Sequence, residues 1–163
     1  LFNKITMIKL KNNWTFIILV ISIAVISTAL IAEYFYRILP CKMCIFQRYS
    51  YYALIILSVI FLLLKKQNDR FYYLIAEIIL IIGLFFSIWH VGIENNLING
   101  PVGCSSSIKD INNIIDLKKH IINTPIIACD QINWAFLGIS FAIYNTLLQL
   151  ALLAANSIFL IKK

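Results

Sequence analysis

Four long apolar stretches constrain what this chain can fold into more than any other feature. Trp14 to Ala32 is 19 residues without a charge. Ile45 to Leu64 follows, broken only by Gln47 and Arg48 near its start. Phe71 to about Val91 contains a single acid, Glu77. Ile132 to Ile161 is a 30-residue uncharged run, longer than the ~20 residues a bilayer needs, so part of it is expected to project beyond the hydrocarbon core. With 61% hydrophobic residues in 163, the chain carries more apolar surface than a soluble domain of this size can bury. Tyr and Trp gather at the ends of the stretches, as in interfacial aromatic belts: Trp14, Tyr49, Tyr51, Tyr52, Tyr72, Tyr73, Trp89 and Trp134. The expected fold is an all-α membrane protein. It is a four-transmembrane-helix bundle with spans at approximately 14–32, 45–64, 71–91 and 134–156, forming one domain over residues 1–163. The first stretch lacks the short apolar core and A-x-A site of a signal peptide, so a retained helix is expected.

Charge gives the orientation. Four spans put both termini on one side, together with Lys4, Lys9, Lys11, Lys65, Lys66, Arg70, Lys162 and Lys163. The other side holds Arg37, Lys42, Arg48, Lys109, Lys118 and Lys119, spread over more residues and mixed with Glu33, Glu94, Asp110, Asp116 and Asp130. Positive charge concentrates on the cytoplasmic side of membrane proteins. Both termini are therefore expected in the cytoplasm, with the intervening loops on the far side. The net charge of +7 sits in connecting segments, which argues against nucleic-acid binding.

All four cysteines then face an oxidising compartment, two in each outer loop. The first loop holds Cys41 and Cys44 at C-x-x-C spacing; the second, roughly Gly92 to Gln131, holds Cys104 and Cys129. An even count there is compatible with two disulfides, and four cysteines allow three connectivities. If Pro40 takes the first helical position, where its missing N–H is harmless, Cys41 and Cys44 lie in the first turn of a helix. Residues three and four apart share a face, so Cys41, Cys44 and Arg48 line up. A helix N-terminus and a nearby guanidinium both favour thiolate, the attacking form in disulfide exchange. The stretch therefore reads as a reactive dithiol at a membrane edge. A Cys₄ zinc site would pair two close-spaced motifs, whereas Cys104 and Cys129 stand 25 apart, so no metal is expected. Structural disulfides alone are the plainer alternative.

Other residues carry weaker signals. Arg48 just inside a span is costly unless it snorkels or has a role, such as donating to a ligand oxygen or stabilising the Cys44 thiolate. His90 sits at the outer end of the third span, where an interfacial histidine is the ordinary reading. Glu77 lies far from the cysteines and is expected to be a bundle-interior or interfacial residue. In the second outer loop, Ile108, Ile111, Ile114, Ile115, Ile121 and Ile122 recur at near-helical spacing. Lys118, Lys119 and His120 suit a helix C-terminus, and Pro125 ends the run. A short amphipathic surface helix is expected there.

Four motifs in order resemble one family. Pro40-Cys41-Lys42-Met43-Cys44-Ile45-Phe46-Gln47-Arg48 resembles the P-C-x-x-C-x-x-Q-R signature of the DsbB family of disulfide-forming membrane proteins. Trp89-His90-Val91-Gly92-Ile93-Glu94 is similar to its aromatic-H-x-G-x-E segment. Gly100-Pro101 before Cys104, and the segment from Cys129 to Ser140, resemble the family's second loop and the opening of its fourth helix. The resemblance covers nearly the whole chain. It implies a membrane thiol:quinone oxidoreductase of the bacterial inner membrane that re-oxidises a DsbA-like periplasmic thioredoxin-fold partner. Electrons would pass from that partner through a Cys104–Cys129 disulfide to Cys41–Cys44, and from Cys44 to a membrane quinone, ubiquinone or menaquinone. Arg48 would sit beside the quinone, with His90 a further quinone-site residue. A soluble oxidase near −120 mV is itself strongly oxidising, so only a strong external acceptor completes the cycle.

The resemblance also bears on rival readings. A Cys104–Cys129 bridge that only stapled the loop would add roughly 3–4 kcal/mol on a chain-entropy account. The turn-forming Gly100-Pro101-Val102-Gly103 instead predicts an exposed, mobile, and therefore exchangeable, Cys104. In relatives of vitamin K epoxide reductase the loop cysteines precede the C-x-x-C; here they follow it. A metal transporter would need more ligands at mid-membrane depth than Glu77, and a scaffold with two structural disulfides would show no quinone dependence.

Overall fold

The computed structural model describes residues 13–66, 69–101, 104, 128–132 and 134–161. Four helices account for most of them: α1 (Trp14–Tyr34), α2 (Lys42–Leu63), α3 (Arg70–Glu94) and α4 (Phe141–Ile161). All four are long and apolar enough to cross a membrane. In hydrocarbon each backbone N–H and C=O must be satisfied within its own segment, so these runs are helical despite their many β-branched residues. The amphipathic helix expected over 108–122 lies outside the described residues.

Side-chain caps and turns set the helix boundaries. α2 begins two residues later than the Pro40 reading places it: Lys42, not Pro40, takes the first helical position. Cys41 is the extended N-cap (φ −72°, ψ 167°), and its Sγ accepts the Cys44 amide at 3.3 Å. Asp69 caps α3 by accepting from the Phe71 amide. α2 and α3 both end in paired reverse bonds around a left-handed residue. At the end of α2, the Lys66 amide donates to the Phe61 carbonyl and the Lys65 amide to Leu62, with Lys65 at φ 54°. At the end of α3, Leu97 donates to Gly92 and Asn96 to Ile93, with Asn96 at φ 56°.

The fourth span begins later than the sequence suggests. Ala135–Phe136 (β1) and Ile139–Ser140 (β2) pair antiparallel, Phe136 opposite Ile139. Leu137 and Gly138 turn the chain with φ 52° and 80°, the signs of a two-residue hairpin turn. The Ser140 hydroxyl then accepts the Ile143 amide, which starts α4 at Phe141 rather than at Trp134. The excess length of the apolar run thus forms a hairpin beside the bundle's cysteine end.

The helices pack in sequence order, α1 on α2, α2 on α3, α3 on α4. Trp14 closes the ring: its Nε1 donates to Asn156 of α4 at 2.9 Å, and its ring meets Phe159 edge-on at 4.9 Å. Ile18, Leu54, Tyr72, Ala76, Leu80 and Leu152 fill the interior between them. The burial pattern suits lipid. Phe16, Ile23, Ile56, Ile78, Phe85 and Leu147 point outward, whereas Thr15, Ser22, Ser58, Ser87, Gln149 and Asn156 are buried. Without a hydrophobic drive between helices, small and polar residues make the contacts. Gly83 shows the closeness: a Cβ there would lie 2.8 Å from Ser50 of α2 and 2.5 Å from Gln149 of α4. Glu77 is an interior residue held by α4, accepting from Asn156 and from the Ser157 hydroxyl.

Candidate functional site

The four cysteines gather at one end of the bundle. Cys41, Cys104 and Cys129 share a buried cluster with Met43 and Ile93, and Cys44, Phe86 and Trp89 pack against it. Cys104 and Cys129 are joined in a disulfide, while Cys41 and Cys44 are free with their sulfurs 2.8 Å apart. Cys104 is fully buried, which corrects the expectation of an exposed cysteine. The turn chemistry before it folds the chain inward. The Cys104 amide donates to Pro101, its carbonyl accepts the Cys129 amide, and Gly100 lets the Cys104 Cβ approach to where a Cβ of its own would sit at 2.9 Å.

Cys41 stands where three polar groups meet. The side chain of Cys44, His90 Nε2 at 3.4 Å and the Cys44 amide all address its sulfur. The hydrogen bond from Cys44, then that from His90 and the helix amide, hold its thiol far below the ordinary range, at about 4, against the opposing effect of burial. His90 is itself buried, with Gln47 Nε2 on its Nδ1 at 3.0 Å and Glu94 Oε1 3.8 Å from its Nε2. Ser140, at the start of α4, donates to the other Glu94 oxygen at 2.6 Å.

A cavity of about 200 Å³ opens beside this corner. Val25, Thr28, Ala29 and Ala32 of α1 give it a mostly aliphatic wall; Cys41, Cys44, Arg48, His90 and Glu94 supply its polar groups, and Trp134 and Phe141 also line it. Arg48 reaches neither cysteine by any bond. It pairs with Glu33, at the end of α1, at 2.5 Å. The geometry brings all six sequence-derived site residues to one end: Cys41, Cys44, Arg48 and His90 line the cavity, and Cys104–Cys129 packs behind it.

A match to the family model of the disulfide bond formation protein DsbB runs over residues 11–159. The chain belongs to the DsbB family. It is also 31% identical over 139 residues to the uncharacterized protein RP370 of Rickettsia prowazekii (strain Madrid E), which covers 84% of this chain and 80% of that protein. Membership of the DsbB family makes this a multi-pass membrane protein of disulfide bond formation, in accord with its four apolar helices.

Sequence reasoning left several residues of this DsbB-family corner without a role. Glu33 was read only as a loop charge, yet it holds Arg48. From the sequence, Gln47 figures only as a break in the second stretch and inside a motif, Glu94 only as an outer-side charge and inside a motif, and Ser87 and Asn145 not at all. Their signal was present: Ser87, His90 and Glu94 follow one another at three and four residues on α3, as Gln47 and Ser50 do on α2. Polar residues recurring on one face of an apolar span mark a bundle interior with work to do.

Proposed function

We propose that this chain is a thiol:quinone oxidoreductase that re-oxidises a DsbA-like thioredoxin-fold partner, using Cys104–Cys129 and then Cys41–Cys44. Supporting this most directly is one observation: Cys44, 2.8 Å from Cys41, lines the same cavity as Arg48. A mostly aliphatic wall with a guanidinium and a cysteine pair fits a lipid-soluble molecule carrying carbonyl oxygens. A quinone bound there supplies a two-electron acceptor. The protein's own residues do the rest. The partner's thiolate attacks the Cys104–Cys129 bond; one loop sulfur is displaced and in turn attacks the Cys41–Cys44 pair in its oxidised, disulfide form, whose S–S bond breaks. Two electrons and two protons thus reach the Cys41–Cys44 pair as the partner's dithiol becomes a disulfide. Because Cys104 is buried, its sulfur must become accessible before the partner attacks it. Arg48 donates toward a ligand oxygen, with Glu33 fixing the angle of its guanidinium. His90 donates to Cys41. The charge distribution supports placing the termini in the cytoplasm and the cysteine loops in the periplasm, with the chain in the bacterial inner membrane.

The test is anaerobic oxidation of a reduced DsbA-type protein by the purified chain, with and without added quinone, following quinone reduction optically. Stoichiometric quinone loss, abolished by Cys44→Ser or Cys104→Ser, is expected. Arg48→Met is expected to cut quinone-dependent turnover while leaving disulfide exchange with the partner intact. Equal loss of both activities would remove Arg48 from the quinone site. Full turnover by Cys44→Ser would return the four cysteines to a structural role.

A further inference from the structure

We propose that Asn145 and Gln47 are positioning residues: they form a one-way hydrogen-bond relay, anchored at the Ala142 carbonyl, that keeps the His90 ring proton on Nε2, facing Cys41. The relay can be followed one proton at a time. The Ala142 carbonyl can only accept, and the Thr146 hydroxyl donates to it at 2.8 Å. That commits the single Thr146 proton. Ser87 Oγ lies 2.7 Å from Thr146 Oγ1, so Ser87 must be the donor of that pair. With its own proton spent, Ser87 must accept from Asn145, whose Nδ2 is 3.1 Å away. The same Nδ2 donates its second proton to Gln47 Oε1 at 2.9 Å. Asn145 Oδ1 is then left to accept, which it does from the Tyr51 hydroxyl at 2.5 Å, at the short end of the O–H···O range and too short for N–H···O.

Gln47 is thereby oriented. Its oxygen faces Asn145, so its amide nitrogen faces His90 Nδ1 and donates to it at 3.0 Å. Nδ1 must be bare, and the ring's proton sits on Nε2, 3.4 Å from Cys41 Sγ. Two consequences separate this from a histidine that is merely buried. A proton on Nδ1 would meet the Gln47 amide head-on, so the ring presents a proton, not a lone pair, to Cys41. Nor can its Nε2 serve as a metal ligand, although Cys41, Cys44 and His90 have ligating atoms within 4.8 Å of one another. The titratable and charged groups around this corner include Cys44 and Tyr51 on α2, Glu94 on α3 and the Arg48–Glu33 pair along the cavity.

The relay bears on one step, and in this it rests on the proposed thiol chemistry. When a thiolate attacks a sulfur bonded to Cys41, that S–S bond breaks and the electron pair stays on Cys41 Sγ. A donor already in place makes Cys41 the better leaving sulfur.

The experiment reads the ring directly. The full chain is labelled with ¹⁵N-histidine in lipid nanodiscs, with His120→Gln so that only His90 reports. The expected wild-type signature is a protonated Nε2 and a bare Nδ1. In Asn145→Asp the side chain can no longer donate to Gln47. The Gln47 amide is expected to turn, moving the proton to Nδ1. Thr146→Val, which keeps shape and frees the Ser87 proton for Asn145, is expected to populate the same Nδ1–H form. In both variants the pH midpoint for alkylation of reduced Cys41 is expected to rise by about one unit, which slows alkylation about fivefold at pH 4 and hardly at all at pH 6. A wild-type proton on Nδ1, or either variant keeping the wild-type ring signature, overturns the relay. The ring signature does not depend on quinone turnover, so failure of the thiol:quinone reading leaves this result standing on its own.

Discussion

Cys41 caps a helix with the same sulfur that can exchange disulfides. The geometry makes the two roles one, because the N-cap position aims the Cys44 amide and the first turn's partial positive charge at Sγ. Its thiol is depressed to about 4, chiefly by the Cys44 side chain and then by His90. The sign of the pH effect follows. In the reduced chain this group adds stability above the ordinary cysteine range, and that stability is lost as pH falls through about 4. Iodoacetamide alkylation of reduced Cys41, mapped by mass spectrometry, should therefore hold nearly constant from pH 8 down to about 5 and fall only around 4. A rate that falls away just below pH 8, as for an ordinary thiol, would mean that the donors do not stabilise the thiolate. At this scale the sequence showed the cysteines, Arg48 and His90, because residue type and spacing carry their chemistry. It did not show that Glu33 holds Arg48 or that Asn145 orients Gln47. Those pairings join residues 15 and 98 apart in the chain and exist only once the helices pack.

Helices α1 to α3 were legible nearly to their ends, because an uncharged run of bilayer length leaves the backbone no alternative to a helix. The start of α4 was not. It depends on Leu137 adopting φ 52°, a conformation that a leucine disfavours and that no sequence rule would assign to it. Burial of Cys104 was equally hidden, since Gly100-Pro101 signals a turn without saying which way it faces. Helix contacts depend on one small residue more than the apolar pattern suggests. At Gly83 the Ser50 Cβ is 2.8 Å from any added Cβ, and a Cβ cannot swing away as the Gln149 amide can. Gly83→Ala should push α3 off α2 and cost about 1–3 kcal/mol, seen as a lower thermal midpoint in detergent. The same shift would disturb Ser87 and His90 on α3, so reduced turnover is expected alongside it. An unchanged midpoint would show that the helices do not approach as closely as described.

Across the whole molecule the two ends divide the labour. The cysteine end holds the cavity, the dithiol and the relay. The other end holds Glu77, which lies 13 residues before His90 on α3, about 20 Å away at the helical rise. Glu77 accepts from Asn156 and Ser157 of α4, and Asn156 also donates to the Tyr73 carbonyl while accepting from Trp14 of α1. One polar knot thus joins three helices where hydrophobic attraction between them contributes little. Hydrogen bonds of this kind in membranes average about 0.6 kcal/mol, with a maximum near 1.7. Glu77→Gln keeps the shape and can still accept through its oxygen, so it should cost only a few tenths of a kcal/mol. Glu77→Leu leaves the Asn156 amide short of a partner and should cost about 1–2 kcal/mol, measured as a lower unfolding midpoint. Neither change should alter quinone-dependent turnover at temperatures well below that midpoint, because no polar side chain of the knot reaches the cavity. A loss of turnover in Glu77→Gln with the midpoint intact would show the two ends to be coupled, and would make Glu77 part of the working site rather than its distant support.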